Sequence, residues 1–165
     1  MEITTDISIR GNAWNTAVEQ LGEVFKTRTH YMIYMLALAI GVMYDERVEK
    51  LPVNEGEEAR SVPRNVIRNN DNGKLDFIFQ AAILTTTTGE FTEEERLDLA
   101  FGEKTDFKKI EFLTQFANFG VTKLVEHIGE TPVESMENIK NFLVSTVEGR
   151  NLEIDALPDD ILLEV

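Results

Sequence analysis

The uncharged stretch Tyr31 to Tyr44, YMIYMLALAIGVMY, decides the fold of this chain. A helix needs about 18 to 20 apolar residues to cross a bilayer, so this stretch is too short to span a membrane. It therefore predicts the central buried helix of a globular domain. The expected core face consists of Met32, Met35, Leu36, Ala39, Ile40 and Met43.

Periodic apolar residues predict two elements before this helix. Residues 5 to 10, TDISIR, alternate polar and apolar side chains, which favours a short strand with Ile7 and Ile9 on one face. Residues Trp14, Val18, Leu21 and Phe25 then recur at spacings of four, three and four. This spacing places them in one stripe along an amphipathic helix.

Further helices are expected after the charged segment 45–59, which we interpret as an exposed connection because it contains Pro52 and Gly56. Ser61 is a candidate N-cap for the first of them, and residues 75–84, LDFIFQAAIL, indicate a second buried helix. Thr92 and Glu95 have the spacing of a capping box and predict a short helix to about Phe101.

The longest helical pattern covers residues 106–128. Gly120 within it is a possible bend, and Gly129 is expected as a C-cap with positive φ. Thr131 and Pro132 then have the residue types of an N-cap and first helical position, and the apolar stripe that follows continues to Gly149.

Together these patterns predict a mainly α fold: a single-domain bundle of five or six helices with a short N-terminal β-strand. The expected organisation is a helical domain over residues 1–150 and an acidic, apolar C-terminal tail over residues 151–165. At 165 residues the chain is long enough to bury its own core, and ten Phe residues predict a core filled by large rings.

Composition and charge narrow the function classes. The chain has no Cys, which excludes disulfides and thiolate chemistry, and the sequence shows no secretory signal, so we expect a cytoplasmic protein. The net charge of −14 opposes binding to nucleic acid unless a local basic patch compensates for it.

Motifs for catalysis or cofactors are missing from the sequence. The two histidines, His30 and His127, fall in different predicted helices and do not have metal-ligand spacing. Nucleophile-elbow and dinucleotide-binding patterns are not found either. The sequence therefore predicts a non-enzymatic protein without metal or cofactor that acts on a protein partner and not on a membrane.

Two segments are candidates for partner binding. Arg60, Arg64 and Arg68 are spaced by four and would share one face if the region is helical throughout. They either bind an acidic partner or pair with this protein's own carboxylates. The tail residues Leu157, Ile161 and Leu162 either dock on their own domain or insert into a partner.

The chain also resembles a small accessory family encoded beside DNA phosphorothioation (Dnd-type) modification and restriction genes. The residues that carry this resemblance are Ile7 to Arg10, Phe25-Lys26-Thr27, Ala37 to Gly41 and Phe116 to Gly120. The resemblance implies a supporting role in a prokaryotic DNA-modification defence system and transfers no catalytic residues.

Two alternatives remain open. A strand followed by two helices is similar to the ribbon-helix-helix module, which dimerises through its strands and would direct Ser8 and Arg10 at DNA bases. A homodimer is expected in that case. Alternatively, the acidic surface imitates DNA and inhibits a DNA-binding protein.

Overall fold

The computed structural model describes residues 3–26, 28–87, 89, 91–102 and 106–154, with the last helix described by its backbone alone beyond residue 146. The elements in chain order are β1 (Ile7–Ile9), α1 (Asn12–Leu21), α2 (Thr29–Tyr44), β2 (Arg60–Val62), α3 (Arg64–Asn70), α4 (Lys74–Thr85), α5 (Glu93–Phe101), α6 (Lys109–Val125) and α7 (Pro132–Ile154). The mainly α class is confirmed. The described residues form seven helices where five or six are expected. A tight turn at Asn72 and Gly73, both with positive φ, separates α3 from α4.

The closest helix pair is α2 with α6, and it forms the centre of the core. At their crossing the two backbones touch, since a Cβ at Gly41 would overlap the carbonyl group of Phe116 and a Cβ at Gly120 would overlap that of Ala37. Small residues on both helices thus allow the close packing. Gly120 is expected from the sequence as a possible bend. In the structure it contributes to this close approach of the two helices.

The predicted core face of α2 is correct only in part: Ile40 is buried and Met35 and Leu36 are half-buried against the core, but two of its members face outward. Met32 is 40% exposed and Ala39 is also exposed, whereas the buried residues are Tyr31, Ile33, Tyr34, Ala37, Leu38, Ile40 and Gly41. The stretch is apolar all round, so its periodicity does not indicate which side faces the core. Contact with α6 decides the orientation, and the small residues Ala37 and Gly41 mark that side.

A two-stranded antiparallel sheet joins the N-terminus to the middle of the chain. Strand β1 pairs with β2 so that Ile7 is opposite Val62 and Ile9 opposite Arg60, and Ile7 and Ile9 are buried as predicted. Ser61 therefore lies in a strand, and its predicted role as a helix N-cap is wrong. Instead Asp6 Oδ1 accepts a hydrogen bond from the first backbone N–H of α3, at 2.9 Å.

The connection 45–59 is tied to the core at several points, although we expect it to be exposed. The buried Asn118 of α6 donates to the carbonyls of Val48 and Glu49, at 3.0 and 3.2 Å, and accepts from Trp14 Nε1 at 2.9 Å. Leu51 is buried as well. One amide thus joins α1, α6 and the connection.

Phenylalanine rings fill one side of the core, as the composition predicts. Phe79, Phe107, Phe112 and Phe116 form edge-to-face and tilted pairs with ring centroids 5.2 to 5.8 Å apart, a favourable geometry for aromatic rings. The Arg47 guanidinium lies 5.1 Å from the centroid of Phe112. Cations over these rings stabilise the cluster further.

The observed helix ends can be compared with the caps and boundaries predicted from the sequence. The capping box of Thr92 and Glu95 is confirmed, and Thr131 accepts from Glu134 N at 3.2 Å as an N-cap of α7. Helix α6 ends at Val125, short of the predicted 128, and Gly129 is not among the residues with positive φ.

Helix α7 packs on the ends of α2 and α6 through Phe142. This ring stacks on His127 at 4.2 Å between centroids and on Tyr44 at 6.4 Å. The helix continues to Ile154, so it runs past Gly149 and across the expected boundary between domain and tail. Within the part of the chain that the structure describes, none of the helices is long and apolar enough to cross a membrane.

Candidate functional site

The three arginines that the sequence singles out do not share one helix face. Arg60 lies in β2, and its guanidinium bonds to α1: Nε donates to Asn15 Oδ1 at 2.6 Å and Nη2 forms an ion pair with Glu19 Oε1 at 2.9 Å. Arg60 is therefore paired with this protein's own side chains. The hypothesis that it binds a partner as part of one helical face is wrong, because the chain is extended at this residue.

Arg64 and Arg68 do lie one helical turn apart, on the exposed side of α3. Arg64 Nη1 donates to the backbone carbonyl of Thr4 at 2.9 Å, which fixes its guanidinium beside the N-terminal segment. For Arg68, the described residues supply neither a hydrogen bond nor an ion pair. Within the described part of the chain, the Arg68 donors are therefore unpaired.

The two arginines border a surface pocket of about 420 Å³ between α3, the turn that follows it and the N-terminal segment. The residues that line it are Ile3, Thr4, Arg64, Ile67, Arg68, Asp71, Asn72 and Gly73. The pocket combines two cationic heads with the half-buried Ile3 and the carboxylate of Asp71, and Ile67 lies fully buried at its base. An acidic side chain with an adjacent apolar residue matches this combination.

Asp71 sets the shape of the far wall of this pocket. Its carboxylate accepts from the backbone N–H of Gly73 at 3.1 Å and from that of Leu75 at 3.0 Å. Both of its oxygens therefore cap the first turn of α4. The anion-binding end of α4 is thus occupied from within the chain, and a ligand anion in the pocket must be held by Arg64 and Arg68.

The carboxylate of Asp71 also acts electrostatically on a buried tyrosine of α2, Tyr31. The Tyr31 side chain is only 3% exposed, and its hydroxyl has no hydrogen-bond partner among the described residues. Burial raises the pKa of Tyr31, the negative charge of Asp71 raises it further, and Arg28 partly offsets both effects. The Tyr31 hydroxyl therefore stays protonated and neutral at ordinary pH.

This arrangement is suited to binding. Two guanidinium groups offer forked N–H donors that match a carboxylate or phosphate, with geometry that a lysine cannot reproduce. Within the described ranges, no group of three or more His, Asp or Glu side chains could hold a metal ion. Nothing in the pocket pairs a nucleophile with a base: its titratable side chains are Arg64, Arg68 and Asp71.

The other predicted site residues lie elsewhere. Ser8 and Arg10 are exposed at β1, as the strand pattern predicts. Leu157, Ile161 and Leu162 are outside the described residues. His30 donates from Nδ1 to the Ser61 carbonyl at 2.6 Å, and His127 stacks on Phe142, so each histidine has a contact within the fold.

Sequence reasoning missed Asp71, Tyr31 and the contribution of Ile3 and Thr4. The run Asn69 to Gly73 indicates a turn, but the sequence does not show that the turn forms a pocket wall. Ile3 and Thr4 reach the site only because β1 pairs with a strand more than fifty residues later. Comparisons of the chain with protein-family models, with curated proteins and with solved structures found no match.

Proposed function

We propose that this protein is a non-enzymatic accessory or regulatory protein that binds an acidic segment of a protein partner through Arg64 and Arg68. The observation that carries the proposal is the pair of exposed guanidinium groups at the pocket, one of which has no bonding partner among the described residues. In a chain of net charge −14, internal carboxylates are abundant, and Arg60 uses one of them. Arg68 does not.

The charge of the whole protein favours a protein ligand over a nucleic acid. A long phosphate backbone would bring many negative charges against a surface that carries a net −14, whereas one acidic segment needs only the local pocket. The half-buried Ile3 adds apolar contact for a neighbouring side chain, whereas Ile67 beneath it is fully buried. From the sequence resemblance alone, we further propose a role as an accessory protein of a prokaryotic DNA-modification defence system.

Binding of a labelled peptide tests this function. A glutamate-rich peptide containing leucine is expected to raise fluorescence anisotropy with wild-type protein, and a lysine-rich peptide of equal length is not. The double variant Arg64→Ala/Arg68→Ala should weaken binding about tenfold or more. Lys50→Ala/Lys140→Ala removes two exposed charges elsewhere and is the matched control. Equal binding by both double variants would refute the proposal.

A second candidate function is DNA binding by the β1–β2 ribbon. The observation in its favour is that Ser8 and Arg10 are exposed beside a two-stranded antiparallel ribbon, a shape that enters the major groove. Strand β1 pairs with β2 of the same chain, unlike strands that pair across a dimer. Anisotropy with duplex DNA at low salt tests this candidate, and absence of binding would eliminate it.

A further inference from the structure

Helices α4 and α5 expose large apolar side chains on their outer surface. Phe77 is 70% exposed, Phe101 66%, Leu97 49% and Leu84 37%. We predict from the sequence that residues 75–84 are buried, but the buried side chains of α4 are Leu75, Phe79, Ala82 and Ile83, with Ile78 half-buried against the core. Phe77 and Leu84 are seven residues apart and lie on the opposite side of the helix.

These four side chains belong to one surface, because α4 and α5 run antiparallel in contact. Gln80 Nε2 donates to the Ala100 carbonyl at 3.1 Å, and Arg96 Nη1 donates to the Thr86 carbonyl at the other end of the pair. This register places Leu84 level with Leu97, and Phe101 within one helical turn of the level of Phe77. We call these four residues the α4–α5 patch.

The border of the α4–α5 patch on α5 is acidic. Glu93 and Glu94 are exposed and lie one turn before Leu97. Arg96 is directed inward, since it also donates from Nε to the Phe91 carbonyl at 3.3 Å. The patch thus combines apolar rings with adjacent negative charge.

Charge decides what can cover this patch. A second copy of the chain would bring the same glutamates and another net charge of −14, which opposes self-association. An anionic membrane surface is repelled for the same reason. A partner that carries basic residues beside an apolar stripe satisfies both parts of the patch.

We propose that the α4–α5 patch binds a basic amphipathic helix of a partner protein. The two parallel rows, Phe77–Leu84 and Leu97–Phe101, suit apolar anchors at helical i, i+3, i+4 and i+7 spacing. Lys or Arg residues flanking that stripe pair with Glu93 and Glu94. This surface is distinct from the arginine pocket, which takes a ligand of opposite charge.

A synthetic helical peptide of leucine and lysine, with leucines at i, i+3, i+4 and i+7, is the probe. Wild-type protein should bind it about tenfold or more tightly than a scrambled peptide of the same composition. Phe77→Ser/Phe101→Ser should abolish that preference. The matched control is Val133→Ser/Met136→Ser, because these α7 side chains are similarly exposed, at 71% and 56%. Circular dichroism verifies that each variant is folded.

A second set of variants tests whether binding requires the negative charge of Glu93 and Glu94. Glu93→Gln/Glu94→Gln should weaken binding several-fold and reduce its salt dependence, whereas Glu46→Gln/Glu55→Gln should not. Equal affinity for ordered and scrambled peptides would overturn the proposal, as would unchanged binding by Phe77→Ser/Phe101→Ser. Sedimentation that shows a wild-type dimer abolished by the same serine variant would assign the patch to a second copy and also overturn it.

Discussion

Gly120 of α6 lies against Gly41 of α2, and a Cβ at Gly120 would come 2.9 Å from the Gly41 backbone nitrogen and closer still to the Ala37 carbonyl oxygen. Real Cβ atoms do not approach backbone atoms this closely without movement of one partner. Because the neighbours are helix backbones on both sides, neither can move alone. The two central helices therefore pack at a distance that only glycine permits.

Gly120→Ala is expected to separate α2 from α6 and to reduce the free energy of unfolding by about 3 kcal/mol or more. Thermal denaturation followed by circular dichroism measures the loss. Gly22→Ala is the control, because Gly22 has an ordinary helical φ of −58° and lies at the end of α1. A Gly120→Ala protein as stable as the control would contradict the close packing.

Asn118→Ala should destabilise the protein by about 2 to 4 kcal/mol, because it leaves buried polar groups without partners. The groups affected are Trp14 Nε1 and the carbonyls of Val48 and Glu49. Urea unfolding can be followed by the fluorescence of Trp14, the single tryptophan. Asn65→Ala, at an exposed position of α3, should change stability by less than about 0.5 kcal/mol. Similar effects for both variants would disprove the role of Asn118.

Stability should fall at alkaline pH because of buried tyrosines. Burial raises the pKa of Tyr34 far above its ordinary value, and a bond with the Thr114 hydroxyl offsets only part of this increase; burial also raises the pKa of Tyr31. Above pH of about 10, tyrosines in the unfolded chain lose protons that the folded protein keeps. The unfolded state then binds fewer protons, so unfolding becomes more favourable as pH increases.

Each such tyrosine should contribute a slope of up to about 1.4 kcal/mol per pH unit above pH of about 10, and no slope below it. Urea unfolding at several pH values between neutral and alkaline measures this slope. Tyr34→Phe should reduce it, and Tyr31→Phe/Tyr34→Phe should reduce it further. An unchanged alkaline slope in the double variant would show that other groups cause the loss.

The orientation of α2 predicts that an aspartate substitution has very different effects on folding at two neighbouring residues, Leu38 and Ala39. Leu38→Asp should prevent folding, because Leu38 is fully buried and a carboxylate there has no partner. Ala39→Asp should cost less than about 1 kcal/mol, because Ala39 is exposed. Soluble yield and circular dichroism distinguish the two. Loss of folding in both variants would mean that α2 is covered on all sides.

Structural features that depend on residues close together in the chain could be predicted from the sequence. The capping box at Thr92 depends on contacts across one helical turn, and the start of α7 depends on Thr131 and Pro132. The existence of α2 also follows from its own composition. Its orientation does not, because every side of the stretch is apolar and contact with α6 selects the buried face.

Features that depend on distant residues were not predictable. Arg60 is in a strand because it pairs with Ile9 of β1, and α3 is capped by Asp6 of the N-terminal segment. Neither the strand at Arg60 nor the cap of α3 by Asp6 can be inferred from the residue types around Arg60. For the site, the spacing of Arg64 and Arg68 was informative, whereas the pocket beside them exists only once the N-terminus and the turn at Asp71 come together.

Quantitative affinity capture from extracts of the source organism tests the central claim most directly. Wild-type protein, Arg60→Ala and Arg64→Ala/Arg68→Ala are immobilised in equal folded amounts, and retained proteins are compared by mass spectrometry. We expect a protein partner that wild type and Arg60→Ala retain and the double variant loses, with a lower melting temperature for Arg60→Ala alone. Retention of the same proteins at the same levels by all three would contradict partner binding through Arg64 and Arg68.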